Sequence, residues 1–92
     1  MATKVSAKRK VDFKLFAPEA QTVLVAGNFT NWEQAPVGLK KQRNGLWKTT
    51  VSLSPGAYEY RMLVDGLWSD DPECATRVPN GNGSQNCVRV VA

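Results

Sequence analysis

The sequence predicts an all-β protein, an immunoglobulin-like antiparallel β-sandwich of about seven strands. Three observations carry that prediction. Apolar residues recur with a period of two nearly everywhere, as they do in strands with one face buried. Turn-forming residues punctuate the chain at frequent intervals. No segment shows a capped, amphipathic helical stripe.

Val11, Phe13 and Leu15 alternate with Asp12 and Lys14 and predict a first strand, ended by Pro18-Glu19-Ala20. Thr22 to Ala26 is a near-continuous apolar run that fits a central strand covered on both faces. Gly27-Asn28-Phe29-Thr30-Asn31-Trp32 is a loop rich in turn formers, and Leu39 to Lys41 a short strand. Asn44-Gly45 predicts a type I′ hairpin turn, in which both central residues take positive φ. Trp47, Thr49, Val51 and Leu53 then share one strand face, opposite Lys48, Thr50 and Ser52. After the Ser54-Pro55-Gly56 turn, Tyr58, Tyr60, Met62 and Val64 share another, opposite Glu59, Arg61 and Leu63. Asp65-Gly66 is a second hairpin signal. Pro72 to Asn86 reads as a long irregular stretch, and Val88 to Val91 as the last strand.

Ninety-two residues fit one domain, with enough surface for a single core but not for a core plus a deep catalytic cleft. The expected division is a basic, flexible tail over residues 1–10 and a sandwich over residues 11–92. The net charge of +4 follows from that tail: Lys4, Lys8, Arg9 and Lys10 account for it, and the body from Val11 onward holds eight basic and eight acidic residues. A nucleic-acid module needs its cations gathered on one folded face. No nucleic-acid partner is therefore expected; the rival reading would need Lys40, Lys41, Arg43 and Lys48 to converge beside an aromatic. No run approaches the ~20 apolar residues of a membrane span, and the polar start Met1-Ala2-Thr3-Lys4 does not resemble a secretory signal. The expectation is a cytoplasmic protein with no membrane partner, whose Cys74 and Cys87 are by default free thiols in a reducing compartment; a bridge between them is the alternative, which depends on a Cα separation that spacing does not supply.

The missing chemistry is informative. There is no histidine, so the commonest general base and metal ligand is absent. Asp70, Asp71 and Glu73 form the only tight acidic cluster. Asp70 and Asp71 are adjacent, on one side of a turn, and cannot flank a sugar as a glycosidase requires. They are expected to be solvated turn acids, one of them bonding the backbone, and their spacing matches no calcium loop. No enzyme, no metal and no cofactor are expected.

The three tryptophans differ in setting. Trp47 is in register with Val51 and Leu53 and belongs to the core. Trp32 and Trp68 lie beside polar loops, where exposed aromatics mark binding surfaces. A pyranose offers a face of C–H groups that stacks on an indole and a hydroxyl rim that wants amides, guanidinium and carboxylates. The other reading has both indoles plugging the ends of the sandwich.

The ordered set Gly27-Asn28-Phe29-Thr30-Asn31-Trp32, Asn44-Gly45-Leu46-Trp47, Pro55-Gly56-Ala57-Tyr58-Glu59-Tyr60-Arg61, Val64-Asp65-Gly66-Leu67-Trp68 and Asp71-Pro72 resembles the glycogen-binding module of the AMP-activated protein kinase beta subunit. It is similar also to the early-set domains at the N-termini of isoamylases and glycogen-branching enzymes. The resemblance covers about Val11 to Val91. It implies an α-1,4-glucan (glycogen, starch or maltooligosaccharide) bound without hydrolysis. By position it assigns sugar stacking to Trp32 and Trp68, hydroxyl contacts to Arg61, in place of a lysine, and an amide contact to Gln85 or Asn86. Where the kinase module carries a large apolar residue that pierces a glucan ring, this chain has Asn80-Gly81-Asn82-Gly83-Ser84, which implies weaker binding or a preference for linear chains. Enzymatic activity would belong to a partner protein. The alternative function is that of a structural or protein-interaction early-set domain.

Overall fold

The computed structural model describes residues 8–81 and 83–92. Two antiparallel sheets pack face to face, the arrangement of an immunoglobulin-like sandwich. In the first, β1 (Arg9–Phe16), β5 (Leu46–Leu53) and β4 (Lys40–Lys41) stand in the order β1-β5-β4. The second runs β3-β2-β6-β9-β8, from β3 (Val37–Gly38) through β2 (Val23–Gly27), β6 (Gly56–Val64) and β9 (Gln85–Val91) to β8 (Thr76–Pro79). β7 (Leu67–Ser69) also pairs with β6, and one short 3-10 turn spans Trp32–Gln34.

The core is the set of inward positions that the period of two selects. Val11, Phe13, Leu15, Trp47 and Leu53 from the first sheet meet Val23, Val25, Tyr60, Met62, Cys87 and Val91 from the second. Phe13 stands edge-on to Tyr60, with ring centres 5.0 Å apart, in the geometry favoured by aromatic quadrupoles. Trp47 is buried, and its indole N–H donates to the Ala17 carbonyl at 2.8 Å, so its one polar atom is satisfied.

Several expectations change. β1 begins at Arg9, so Arg9 and Lys10 belong to a strand rather than to the tail: their backbones pair opposite Leu53 and Ser52, and ladder bonds do not require an apolar side chain. Residues 1–7 of that tail lie outside the described residues. The Asn44-Gly45 turn is not type I′, because only Gly45 has positive φ, at 88°. Gly45 N–H donates to Gln42 O and Gln42 N–H to Leu46 O, which gives the three-residue hairpin with a glycine in the left-handed position. Asp65-Gly66 does form the primed turn, with φ of 50° and 84° between the paired residues Val64 and Leu67. The stretch expected to be irregular contains β8, and the last strand begins at Gln85 rather than Val88. β8 is an edge strand, which tolerates a proline at its end.

Asp71 is not solvated. Its carboxylate is buried, accepting from the Tyr60 hydroxyl at 2.7 Å and from Glu73 N–H at 2.9 Å. Cys74 and Cys87 are not free thiols but bonded to each other, with Cα atoms 5.9 Å apart, a separation within the range a bridge requires and one that spacing alone could not supply.

Candidate functional site

One groove of about 670 Å³ runs across the outer face of the second sheet, lined by Trp32, Glu59, Arg61, Trp68, Pro79, Asn80, Ser84 and Asn86. Arg61 and Glu59 reach it from β6, since they alternate with the inward residues Tyr60 and Met62. Trp68 comes from β7, where it pairs opposite Leu63. Asn86 comes from β9, beside the core residue Cys87.

Trp32 is set by its loop. Phe29 anchors the loop from below, stacked on Phe13 at 5.3 Å and edge-on to Tyr58 at 5.9 Å. The buried Thr30 hydroxyl accepts from Gly27 N–H at 3.0 Å and lies 3.0 and 2.9 Å from the carbonyls of Gly27 and Trp32, which share its single proton. Asn31 and Trp32 both take positive φ, 57° and 54°. Such backbone costs on the order of 1–3 kcal/mol per non-glycine residue and concentrates at functional sites. A carbon added to Gly27 would collide with the Glu59 carbonyl oxygen, so only glycine lets the loop lie this close to β6.

The opposite wall is a polar network. Asn80 Nδ2 donates to Asn86 Oδ1 at 3.3 Å, and Asn86 Nδ2 donates to Glu59 Oε1 at 3.1 Å. Ser84 N–H donates to Asn80 Oδ1, and Asn80 N–H to the Ser84 carbonyl, closing the turn between β8 and β9. Arg61 pairs with Asp70, not with Glu59: Nε and Nη2 lie 3.2 and 3.1 Å from Asp70 Oδ1. Asp70 Oδ2 accepts from Arg77 Nη1 at 3.1 Å. Glu59 instead receives the Asn86 amide.

Four of the five residues expected at the site, Trp32, Arg61, Trp68 and Asn86, therefore line one groove. Gln85 does not: it precedes Asn86 on β9, and strand alternation turns it to the other face. Sequence reasoning missed Glu59 as a groove residue, although it shares the period-two face of Arg61. It missed Pro79 as well, because β8 was not foreseen. Among the described residues, the two tryptophans do not plug the ends of the sandwich. Trp68 is 41% exposed, and Trp32 is half-buried on the groove. On the other sheet, Lys14, Lys48 and Lys40 form a cross-strand row. Lys41 turns away from them and donates to the Pro18 carbonyl, so the basic row and the tryptophan groove occupy opposite faces of the sandwich.

Over residues 11–92 the sequence matches the model of a family described as the glycogen recognition site of AMP-activated protein kinase. The chain belongs to this family. The glycogen-recognition module is 27% identical over 90 residues to Protein FLOURY ENDOSPERM 6, chloroplastic, of Oryza sativa subsp. japonica, covering 98% of the chain and 16% of that protein. It is 40% identical over 76 residues to Protein PTST, chloroplastic, of Arabidopsis thaliana, covering 78% of the chain and 26% of that protein. To 5'-AMP-activated protein kinase subunit beta-1 of Sus scrofa it is 30% identical over 69 residues, 75% of the chain and 54% of that protein. The module thus corresponds to a fraction of the length of each of these relatives. No helix among the described residues is long and apolar enough to cross a membrane.

Proposed function

We propose that the module binds α-1,4-linked glucan of the glycogen or starch type in the Trp32–Trp68 groove and does not hydrolyse it. The observation that carries this reading is the pairing of two indoles with Arg61 and a chain of amides in one open groove. Indole faces stack on the C–H faces of sugar rings, and the amides of Asn80 and Asn86, the Glu59 carboxylate and the Arg61 guanidinium suit the hydroxyl rim. Charge favours a neutral ligand: Arg61 is compensated by Asp70.

Catalysis has no support in the groove. Among the described residues Glu59 is the only carboxylate lining it, and it already accepts from Asn86, whereas glycoside hydrolysis uses two carboxyl groups across the scissile bond. Enzymatic activity would come from a tethered or partner protein. The turn between Asn80 and Ser84 offers amides and backbone rather than an apolar plug, so linear chains are the better ligands. An open groove that covers one side of the sugar supports affinity on the order of micromolar to millimolar.

Titration of tryptophan fluorescence with maltoheptaose, with cellohexaose as control, tests the reading. A saturable change with maltoheptaose alone is expected. No change with maltoheptaose up to high millimolar concentration would leave a structural or protein-docking domain as the better description.

A further inference from the structure

We propose that Cys74 is a thiol–disulfide exchange site for a dithiol reductant, and that opening its bridge to Cys87 loosens the sugar groove; the second half rests on the function proposed above. The bridge closes a segment with a sequence separation of 13. Inside that segment lie β8 and four groove residues, Pro79, Asn80, Ser84 and Asn86, while Trp32, Glu59, Arg61 and Trp68 lie outside it. One wall of the groove is therefore carried by a disulfide-closed hairpin.

That hairpin has few other attachments. Among the described residues β8 is the edge strand and pairs with β9 alone. At its start, Arg77 reaches Asp70 and the Asp71 carbonyl at 3.1 and 3.3 Å, and the bridge fixes Cys74 to β9. Without the bridge, the β8 wall would be held to the Trp68 side by β9, by the Asn86 bond to Glu59, by the Cys74 N–H bond to the Asp71 carbonyl and by these Arg77 contacts. Sugar binding would then have to order a wall that the bridge orders beforehand.

Access to the bridge is one-sided. Cys87 is fully buried in the core beneath Tyr60, its pairing partner on β6. Cys74 is half-buried and faces a separate depression of about 320 Å³, whose rim includes Asp12, Lys14, Glu73 and Arg89. A thiolate entering there meets the sulfur of Cys74 first. It attacks that sulfur, a mixed disulfide forms, the Cys74–Cys87 bond breaks, and Cys87 leaves as a thiolate that takes a proton from water. The second thiolate of the reductant attacks its own sulfur in the mixed disulfide. That step releases Cys74, which is protonated in turn, and closes the oxidised dithiol. Two electrons pass from the dithiol to the bridge.

The test compares the oxidised chain, the chain reduced with dithiothreitol and alkylated, and the Cys74→Ser/Cys87→Ser variant. Each is checked for folding by circular dichroism and titrated with maltoheptaose. The dissociation constant should rise roughly three- to tenfold on reduction, as expected when preorganisation is lost, and dithiothreitol should not affect the variant. Glutathione should form its adduct at Cys74. By linkage, saturating maltoheptaose must raise the dithiothreitol needed to open the bridge by the same factor, with a plateau; a rise that keeps growing with sugar concentration would mean that reduction unfolds the chain rather than loosening the groove, and would overturn the coupling. Alkylation of both cysteines before any reduction, or glutathione trapped on Cys87, would overturn the exchange site. Equal affinity of folded reduced and oxidised protein, or no effect of sugar on bridge opening, would overturn the coupling. If the oxidised protein binds no α-glucan, the proposed function fails, while the adduct and alkylation patterns still decide the exchange site.

Discussion

The guanidinium of Arg61 lies beside the indole of Trp68, its central carbon 5.9 Å from the ring centre, while Asp70 holds the same guanidinium from the other side. Arg61 thus links the Trp68 indole of the groove to a carboxylate that also holds Arg77 at the start of the opposite wall. Replacing Asp70 with Asn should release Arg61 and weaken maltoheptaose binding several-fold. Asp70 is 40% exposed, and an ion pair open to solvent on one side contributes only about 0–1 kcal/mol to folding, so the melting temperature should fall by little. Titration calorimetry and a thermal melt on the same samples separate the two effects, and an unchanged dissociation constant would show that Asp70 does not position Arg61.

The three tryptophans should separate cleanly into two roles. Trp47→Ala empties a core site and loses the bond to Ala17, so a loss of about 3–5 kcal/mol in urea unfolding is expected. Trp68→Ala removes a side chain that solvent already reaches, and should abolish detectable maltoheptaose binding with a much smaller loss of stability. A Trp68→Ala protein that binds as well as the parent would remove that indole from the site.

What the sequence made legible was what depends on local pattern. The alternation Tyr58-Glu59-Tyr60-Arg61-Met62 determines which side chains face the core, so Arg61 on the outer face followed from spacing alone. Asp65-Gly66 specified its turn because both residues tolerate positive φ. The residues that escaped depend on distances between segments. Asp71 is buried because the Tyr60 hydroxyl, 11 positions away in sequence, needs an acceptor. Glu59 and Arg61 lie two residues apart on one strand face, yet β9 brings Asn86 to Glu59 and the chain after β7 brings Asp70 to Arg61, pairings that no local pattern specifies. The bridge between Cys74 and Cys87 is of the same kind, set by a Cα separation that only the folded hairpin defines.

The Thr30 hydroxyl governs where Trp32 stands. Thr30→Val keeps the shape of the side chain but leaves Gly27 N–H without its partner, and a buried unsatisfied group costs about 1–3 kcal/mol. The released backbone at Asn31 and Trp32 would relax from positive φ. Lower stability together with a weaker maltoheptaose titration is therefore expected, and Thr30→Ser should restore most of both. If Thr30→Val were destabilised but bound sugar normally, the loop would not need this hydroxyl to present Trp32.

Stability should fall in alkali because of Tyr60. Burial first, and then the neighbouring Asp71 carboxylate, push the Tyr60 hydroxyl well above its ordinary value of 10.0. The folded protein therefore keeps that proton at pH values where the unfolded chain releases it. Above about pH 10 the unfolded state binds fewer protons than the folded one, so unfolding becomes progressively easier as pH rises. Below that pH both states are protonated and the group adds no pH dependence. Urea unfolding at pH 8, 10 and 11 should show a decline confined to the upper end, and Tyr60→Phe, less stable at pH 8 because Asp71 loses its donor, should show a shallower one. A parallel decline in both proteins would assign the alkaline loss to groups other than Tyr60.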